Sequence, residues 1–168
     1  EIEQTNVPVA NQLGQYLGSE GRKSKGFDFD LNGHILPGWD LTFSYTYSKF
    51  KDPAMVNGQV NRIGGQPKHS ANLWTSYQLQ EGAFKGLGAG FGVTAASSSW
   101  NGYRTSTYFN NPGHAQTDMS VFYKQKDWSL TLGVKNVFDR DIYSYSTSPL
   151  WVNVKEGRTT RLTAEYRF

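Results

Sequence analysis

Apolar and polar residues alternate with a period of two over several separate segments of the chain. In the first of them, Phe27 and Phe29 alternate with Asp28 and Asp30. Successive side chains of a β-strand point to opposite faces, so this pattern predicts strands with one apolar and one polar face. The seven predicted strands cover residues 22–35, 39–50, 69–79, 86–95, 114–123, 128–134 and 158–168.

The connections between these strands are alternately short and long. Short connections such as "LPGW", with its Pro37-Gly38 corner, follow the first, third and fifth strands, and long polar segments follow the second, fourth and sixth. Outer-membrane barrels have short periplasmic turns, long extracellular loops and strands that alternate lipid-facing apolar with lumen-facing polar residues. The pattern therefore predicts an all-β fold, a segment of an antiparallel transmembrane β-barrel. The long segments are residues 51–67, 97–113 and 138–156.

The shared period also predicts which side chains lie together on the sheet. We expect one face to form an apolar band against lipid and the other to line the lumen. The expected band comprises Phe27, Phe29, Leu41, Phe43, Leu73, Phe91, Val93, Met119, Val121, Leu130, Leu132, Leu162 and Tyr166. The expected lumen face includes Asp28, Asp30, Thr42, Ser44, Asp118 and Glu165.

Aromatic residues gather near both ends of the predicted strands. Trp and Tyr favour membrane interfaces, so this placement supports the barrel over the alternative, a soluble β-sandwich with aromatic core residues. Rings near the short turns or the last strand are Trp39, Phe84, Tyr123, Trp128 and Phe168, and rings near the first long loop are Tyr45, Tyr47 and Phe50.

Seven strands do not close a single-chain bacterial barrel, because such barrels have even strand numbers and an open edge in lipid is costly. We therefore expect residues 1–168 to be the C-terminal portion of a larger barrel. We expect Glu1 to Glu20 to be the descending half of another long loop.

Composition removes several functional classes. The 168 residues contain no cysteine, which excludes disulfides, thiolate metal sites and a cysteine nucleophile. They also contain no run of about eighteen apolar residues, so the sequence predicts no transmembrane helix. The aromatic fraction is 15% and the net charge is +3. Because the basic residues are scattered, we expect no nucleic-acid partner.

No catalytic or metal-binding constellation emerges from the motifs. His34, His69 and His114 lie on separate segments without a second ligand at metal-binding spacing. The glycines of "GLGAGFG" share one strand face and no helix follows them, so the phosphate-loop interpretation fails its structural context.

At the level of whole segments the chain resembles the TonB-dependent siderophore receptors of the outer membrane. The resemblance rests on "GRKSKGFDFDLNGHILPGWDLTFSYTYSKFKD", on "QPKHSANLWTSYQL" followed by "GLGAGFGV", on "WSLTLGVKNVFDRDIY" and on "EGRTTRLTAEYRF". Val137 stands where the family more often has Leu. The resemblance implies a barrel of about 22 strands in the bacterial outer membrane. Under this resemblance, the small inward residues Gly88, Gly90 and Gly92 would leave room for a neighbouring plug.

The resemblance further implies a transporter and not an enzyme. Its cargo would be a ferric siderophore, so that iron arrives already chelated and no protein cofactor or metal ligand is expected. Its partners would be outer-membrane lipids, the barrel assembly machinery and the TonB energy-coupling complex, which acts through a plug domain that we do not expect within residues 1–168. The alternatives are haem, cobalamin or a glycan as cargo, or a soluble β-rich binding module.

Two sets of residues are candidate sites under this resemblance. Tyr166 and Phe168 fit the terminal aromatic pattern that the assembly machinery recognises, and the alternative for them is interface anchoring alone. Rings and cations in the long loops suit a bulky, often anionic chelate, and the alternative for them is loop packing. These candidates are Arg62, Trp100, Tyr103, Arg104, Tyr108, Tyr143, Tyr145 and Trp151.

Overall fold

Antiparallel β-strands make up the architecture of the computed structural model. It describes residues 2–4, 7–10, 15–19, 22–51, 55–56, 59–60, 65–101, 109–144 and 151–168. Numbered in chain order, the strands of the main sheet are β1 (Ile2–Gln4), β4 (Arg22–Leu36), β5 (Trp39–Lys51), β8 (His69–Gln78), β9 (Leu87–Ala96), β12 (His114–Lys124), β13 (Trp128–Lys135) and β16 (Thr159–Tyr166). They are hydrogen-bonded in that order, each antiparallel to the next.

Short two-stranded pairs lie within the long connections. They are β2 (Val7–Ala10) with β3 (Tyr16–Ser19), β6 (Met55–Val56) with β7 (Gln59–Val60), β10 (Ser99–Asn101) with β11 (Phe109–Asn111), and β14 (Tyr143–Ser144) with β15 (Asn153–Val154). The sequence pattern predicted aperiodic loops here. A strand of two to four residues is too short to show a recognisable period in the sequence, although its pairing satisfies backbone hydrogen-bonding groups.

The seven predicted strands are confirmed, and their alternating short and long connections are confirmed with them. The expectation for the first twenty residues was wrong. Ile2 is in register with Ser24, so β1 adds a strand to the sheet edge, and the β2–β3 pair follows before β4 begins. This stretch therefore contains the end of a strand as well as a loop, because β4 offers it an unpaired edge.

The apolar band lies on one face of the sheet, as predicted. One row runs in register from Leu31 and Phe43 through Leu73 and Val93 to Thr117. Directly opposed residues share a face, so the remaining band residues follow from the same ladders. Much of the band is exposed, with Phe27 57%, Val121 54% and Leu162 66% accessible, instead of forming an enclosed core.

The opposite face is polar, with a few aromatic exceptions. Asp30, Ser44 and Asn72 share this face, and Trp74 and Phe122 also lie on it. The rings cover the glycines of β9. A Cβ atom on Gly90 would stand 2.7 Å from Trp74 Cζ2, and one on Gly92 would stand 2.9 Å from Trp74 Cζ3.

The interpretation of these glycines as room for a plug was therefore wrong. A Cβ atom on Gly88 would also collide with the Phe122 ring. The absent side chains leave space for aromatic rings from the two adjacent strands, β8 and β12. The sequence period places the glycines on the correct face, but it does not reveal which neighbour fills the space.

Aromatic clusters mark both ends of the apolar band. At the short-turn end, the Tyr123 and Trp128 centroids lie 5.4 Å apart. At the long-loop end, the Phe27 and Tyr45 centroids lie 5.6 Å apart. Phe50 is an exception to the predicted bands, because its register with Ser24 places it on the polar face.

The described part of the chain contains no helix long and apolar enough to cross a membrane.

Candidate functional site

A cavity of about 340 Å³ lies on the polar face at the long-loop end of the sheet. Its wall comes from β5, β8 and β9, and its rim comes from segments around β11, β14 and β15. The lining residues used below are Ser44, Thr46, Asn72, Thr94, Asn111, His114, Tyr143 and Lys155. The cavity therefore combines rigid strand positions with loop positions, an arrangement common in binding sites.

The wall is built from uncharged polar side chains held in register. Ser44 lies opposite Asn72, and Asn72 lies opposite Thr94 on the next strand. Thr94 Oγ1 donates a hydrogen bond to Asn72 Oδ1 at 3.0 Å. Since strand pairing fixes these backbones, the wall presents hydroxyl and amide groups at set spacing to whatever occupies the cavity.

The rim is joined by contacts between separate loops. Asn111, which is 7% exposed, donates from Nδ2 to the Tyr143 carbonyl oxygen at 3.1 Å. The Lys155 backbone N–H donates to the Ile142 carbonyl oxygen at 2.8 Å, and Ile142 is only 1% exposed. A buried apolar anchor, one hydrogen bond between two loops and one within the loop that follows β13 therefore position Tyr143 and Lys155 beside the sheet.

The loop after β13 supports this rim through Asn136. Asn136 is 2% exposed and has a φ of 51°, and its side chain bonds both the Arg140 carbonyl oxygen at 2.9 Å and the Arg140 N–H at 3.0 Å. Its own N–H donates to Asp118 Oδ1 at 2.8 Å. The "KNVFDRD" segment is thus a folded loop tied to β12.

The cavity favours neutral or anionic polar ligands on electrostatic grounds. Lys155 is the only formally cationic side chain among its described lining residues, and none of them is a carboxylate. His114 adds an imidazole from the first position of β12. Among the described residues, no group of three His, Cys, Asp or Glu side chains is arranged to hold a metal ion.

Three of the eight predicted ligand residues can be located. Tyr143 lines the cavity, whereas Trp100 and Trp151 are 42% and 58% exposed and do not line it. Trp100 lies beside the rim, because its carbonyl oxygen accepts a hydrogen bond from the Gly65 N–H at 2.7 Å. The other five lie outside the described residues: Arg62, Tyr103, Arg104, Tyr108 and Tyr145.

Sequence reasoning missed most of the cavity. The wall residues Ser44, Asn72 and Thr94 carried a usable signal, because the period of two puts them on the polar face near long connections. Lys155 and Asn111 carried no such signal. They come together only through loop contacts, and loop conformation does not follow from residue type.

Comparison with known proteins identifies the family. The family model described as "TonB dependent receptor-like, beta-barrel" matches residues 1–137 of the 168. The chain belongs to this family. Barrels of TonB-dependent receptors are outer-membrane proteins, so the apolar band faces lipid and the polar face lines the lumen.

Individual relatives cover most of the chain. An uncharacterized TonB-dependent receptor of Haemophilus influenzae is 31% identical over 156 residues, covering 87% of this chain and 44% of that protein. The ferric-pyoverdine BN7/BN8 receptor of Pseudomonas putida is 29% identical over 147 residues, covering 87% of this chain and 17% of that receptor. The chain thus spans less than half the length of either relative.

A solved structure shares the fold. The ferric-catecholate import receptor Fiu of Escherichia coli K12 aligns with a TM-score of 0.78 at 25% identity, over 98% of this chain and 24% of that one. The barrel fold predicted from strand periodicity is therefore confirmed, and so is the resemblance to siderophore receptors.

Proposed function

We propose that the protein containing this chain is an outer-membrane receptor that takes up a ferric siderophore and is energised through TonB. The observation that carries the proposal is the family membership combined with relatives named for ferric-pyoverdine and ferric-catecholate uptake. The iron enters as cargo within its chelate. No catalytic residue or resident cofactor has a part in this function.

The lumen cavity contributes one side of the chelate site in this proposal. Ferric siderophore complexes are bulky, rich in oxygen atoms and often anionic. The hydroxyl and amide wall offers hydrogen bonds to such oxygen atoms, and Lys155 attracts negative charge at the rim. Because the wall residues lie on paired strands, their backbone conformational entropy is already lost on folding, and binding does not have to order them.

Uptake of radiolabelled iron by cells tests the function. Cells producing the full-length receptor, and otherwise lacking siderophore receptors, should accumulate iron from a pyoverdine-type or catecholate-type chelate with saturation, and should lose uptake when TonB is deleted. The proposal fails if neither chelate is transported while haem, cobalamin or an oligosaccharide is.

The cavity assignment is tested separately with Lys155→Glu. Reversing one exposed charge next to an anionic chelate should weaken its affinity by about five- to tenfold, since such a contact contributes about 1 kcal/mol. Lys126→Glu, in the short turn before β13, is the matched control and should leave affinity unchanged. Equal affinity of the Lys155→Glu receptor and wild type would remove Lys155 from the site.

A further inference from the structure

Charged side chains are distributed unevenly over the lumen face of the sheet. β8 and β9, in the middle of the sheet, carry no charged residue at their lumen positions within residues 70–78 and 88–96. On β4 and β5, the lumen positions within residues 24–34 and 40–48 carry carboxylates and neither Lys nor Arg. These carboxylates are Asp28, Asp30 and Asp40, the last of which is paired with His34 Nδ1. This side of the lumen wall is therefore acidic.

The other side of the lumen wall, on β12, β13 and β16, is basic. One of its two carboxylates, Asp118, already accepts hydrogen bonds from the Asn136 N–H at 2.8 Å and from Gln116 Nε2 at 2.9 Å. The second carboxylate is Glu165, and the cations are Lys124, Lys135, Arg161 and, just beyond β16, Arg167, which lines one cavity together with Lys124 and Glu165. Four cations thus share this side with two carboxylates.

Arg161 lies beside open space in the lumen. Its register partner on β13 is Gly133, where an added Cβ atom would meet nothing within 4 Å. Arg161 is exposed, and the ion pairs of the described residues do not include it. Its guanidinium group is therefore free to form charge-assisted hydrogen bonds with anionic oxygen atoms of a ligand in the lumen.

The acidic and basic sides are too far apart to neutralise each other. Arg161 on β16 and Asp30 on β4 are separated by six strand spacings, roughly 29 Å along the sheet at about 4.8 Å per spacing. The Debye length is only about 8 Å at physiological ionic strength. Along the strands, the rows of Lys135, Arg161, Lys124 and Arg167 follow one another at roughly 7, 14 and 7 Å. An anion between two such rows is therefore always within about one Debye length of a cation.

We propose that an anionic ferric chelate crosses the lumen along the face of β12, β13 and β16. This inference rests on the proposed function. The path begins at Lys135, which lies at the same end of the sheet as the cavity, and it ends at Lys124 and Arg167 beside the periplasmic turn. Each row of cations attracts the anion at its own height, and the carboxylates of β4 and β5 repel it from the other side.

Energised uptake and equilibrium binding of one radiolabelled chelate, both measured on cells producing the full-length receptor, test this path. The probe is the chelate, of the pyoverdine or catecholate type, that wild type takes up. In the Arg161→Gln receptor the maximal uptake rate should fall about fivefold, the factor expected for one exposed charge contact. Affinity measured in cells without TonB should stay within twofold of wild type, because the cavity is unchanged. Arg161→Lys should restore most of the rate.

The matched control is Asp30→Asn, which removes one charge from the acidic side of the same wall and should not slow uptake. Lys124→Gln, at the periplasmic end, should slow uptake without loss of affinity, so the test does not depend on one variant folding. Wild-type rates in both cation variants, or equal slowing by Asp30→Asn, would overturn the path while leaving the proposed function intact. Failure of wild type to take up either chelate would instead refute the function, and the path with it.

Discussion

At the scale of single residues, the packing of the lumen face depends on three glycines of β9 that have no side chain. Trp74 lies across Gly90 and Gly92, and Phe122 lies across Gly88, so each ring occupies the volume that a side chain on β9 would take. A large ring on an otherwise polar wall gains van der Waals contact with the strand backbone and covers it. Three alternating glycines are therefore a packing feature of this face.

The packing of Trp74 can be tested with Gly92→Ala. The new Cβ atom would stand 2.9 Å from Cζ3 of a rigid ring, so the ring or the strand has to shift, and we expect a loss of about 1–3 kcal/mol in the free energy of unfolding. Urea unfolding of the full-length receptor in detergent, followed by tryptophan fluorescence, measures this change.

The control for that substitution is Gly133→Ala. Gly133 lies on β13 and faces the lumen, as Gly92 does, but a Cβ atom there meets nothing within 4 Å. It should cost less than about 1 kcal/mol, because only open space is filled. In a Trp74→Ala background, the cost of Gly92→Ala should largely disappear. A cost that persists without the ring would assign the effect to the strand itself.

At the scale of elements, the loop between β13 and β14 is folded by one side chain. Asn136 satisfies both backbone groups of Arg140 while its own N–H bonds Asp118 on β12. A further bond, from the Arg158 N–H to Asp139 Oδ1 at 2.7 Å, ties the same loop to the residue preceding β16. Three elements therefore meet at this loop, and its fold sets the position of the cavity rim.

We expect Asn136→Ala to lower the free energy of unfolding by about 2–4 kcal/mol. It removes two part-buried hydrogen bonds to the Arg140 backbone and places alanine at a φ of 51°, which asparagine tolerates better. Thermal unfolding of the purified receptor measures the change. Asn110→Ala, at an exposed position, should stay within about 0.5 kcal/mol of wild type. Similar losses for both variants would contradict the role of Asn136.

At the scale of the whole molecule, the alternating connections assign one end of the sheet to each side of the membrane. The end carrying β10–β11 and β14–β15 is extracellular, and the end carrying the turns at Pro37-Gly38 and residues 125–127 is periplasmic. The two lipid-facing aromatic clusters lie at these ends. The lumen cavity therefore lies at the extracellular end.

This orientation can be tested with single cysteines, because residues 1–168 contain none. Asn110→Cys should react with a membrane-impermeant maleimide on intact cells. Glu81→Cys, in the turn between β8 and β9, should react only after the outer membrane is permeabilised. Any cysteine elsewhere in the full-length receptor is first replaced by serine, so that the introduced cysteine is the one that reacts. Labelling of Glu81→Cys on intact cells would reverse the assignment.

The sequence by itself determined the strands, their faces and the side of the sheet that each connection occupies. The reason is physical: a period of two acts over eight or more residues, and burial of one face in lipid enforces it at every position. Leu73, Phe91 and Leu132 could therefore be assigned to the band without any knowledge of their neighbours. The resemblance to siderophore receptors added the family, which the comparisons confirmed.

Only the tertiary structure decided which residues of different strands and loops are neighbours. The contact of Trp74 with Gly92 and the lining of one cavity by both Thr94 and Lys155 each join residues on different strands or loops. Periodicity assigns a face but not a register, and loop hydrogen bonds such as Asn111 to Tyr143 follow no period at all. These contacts depend on how strands pair and loops fold, and they define the candidate sites.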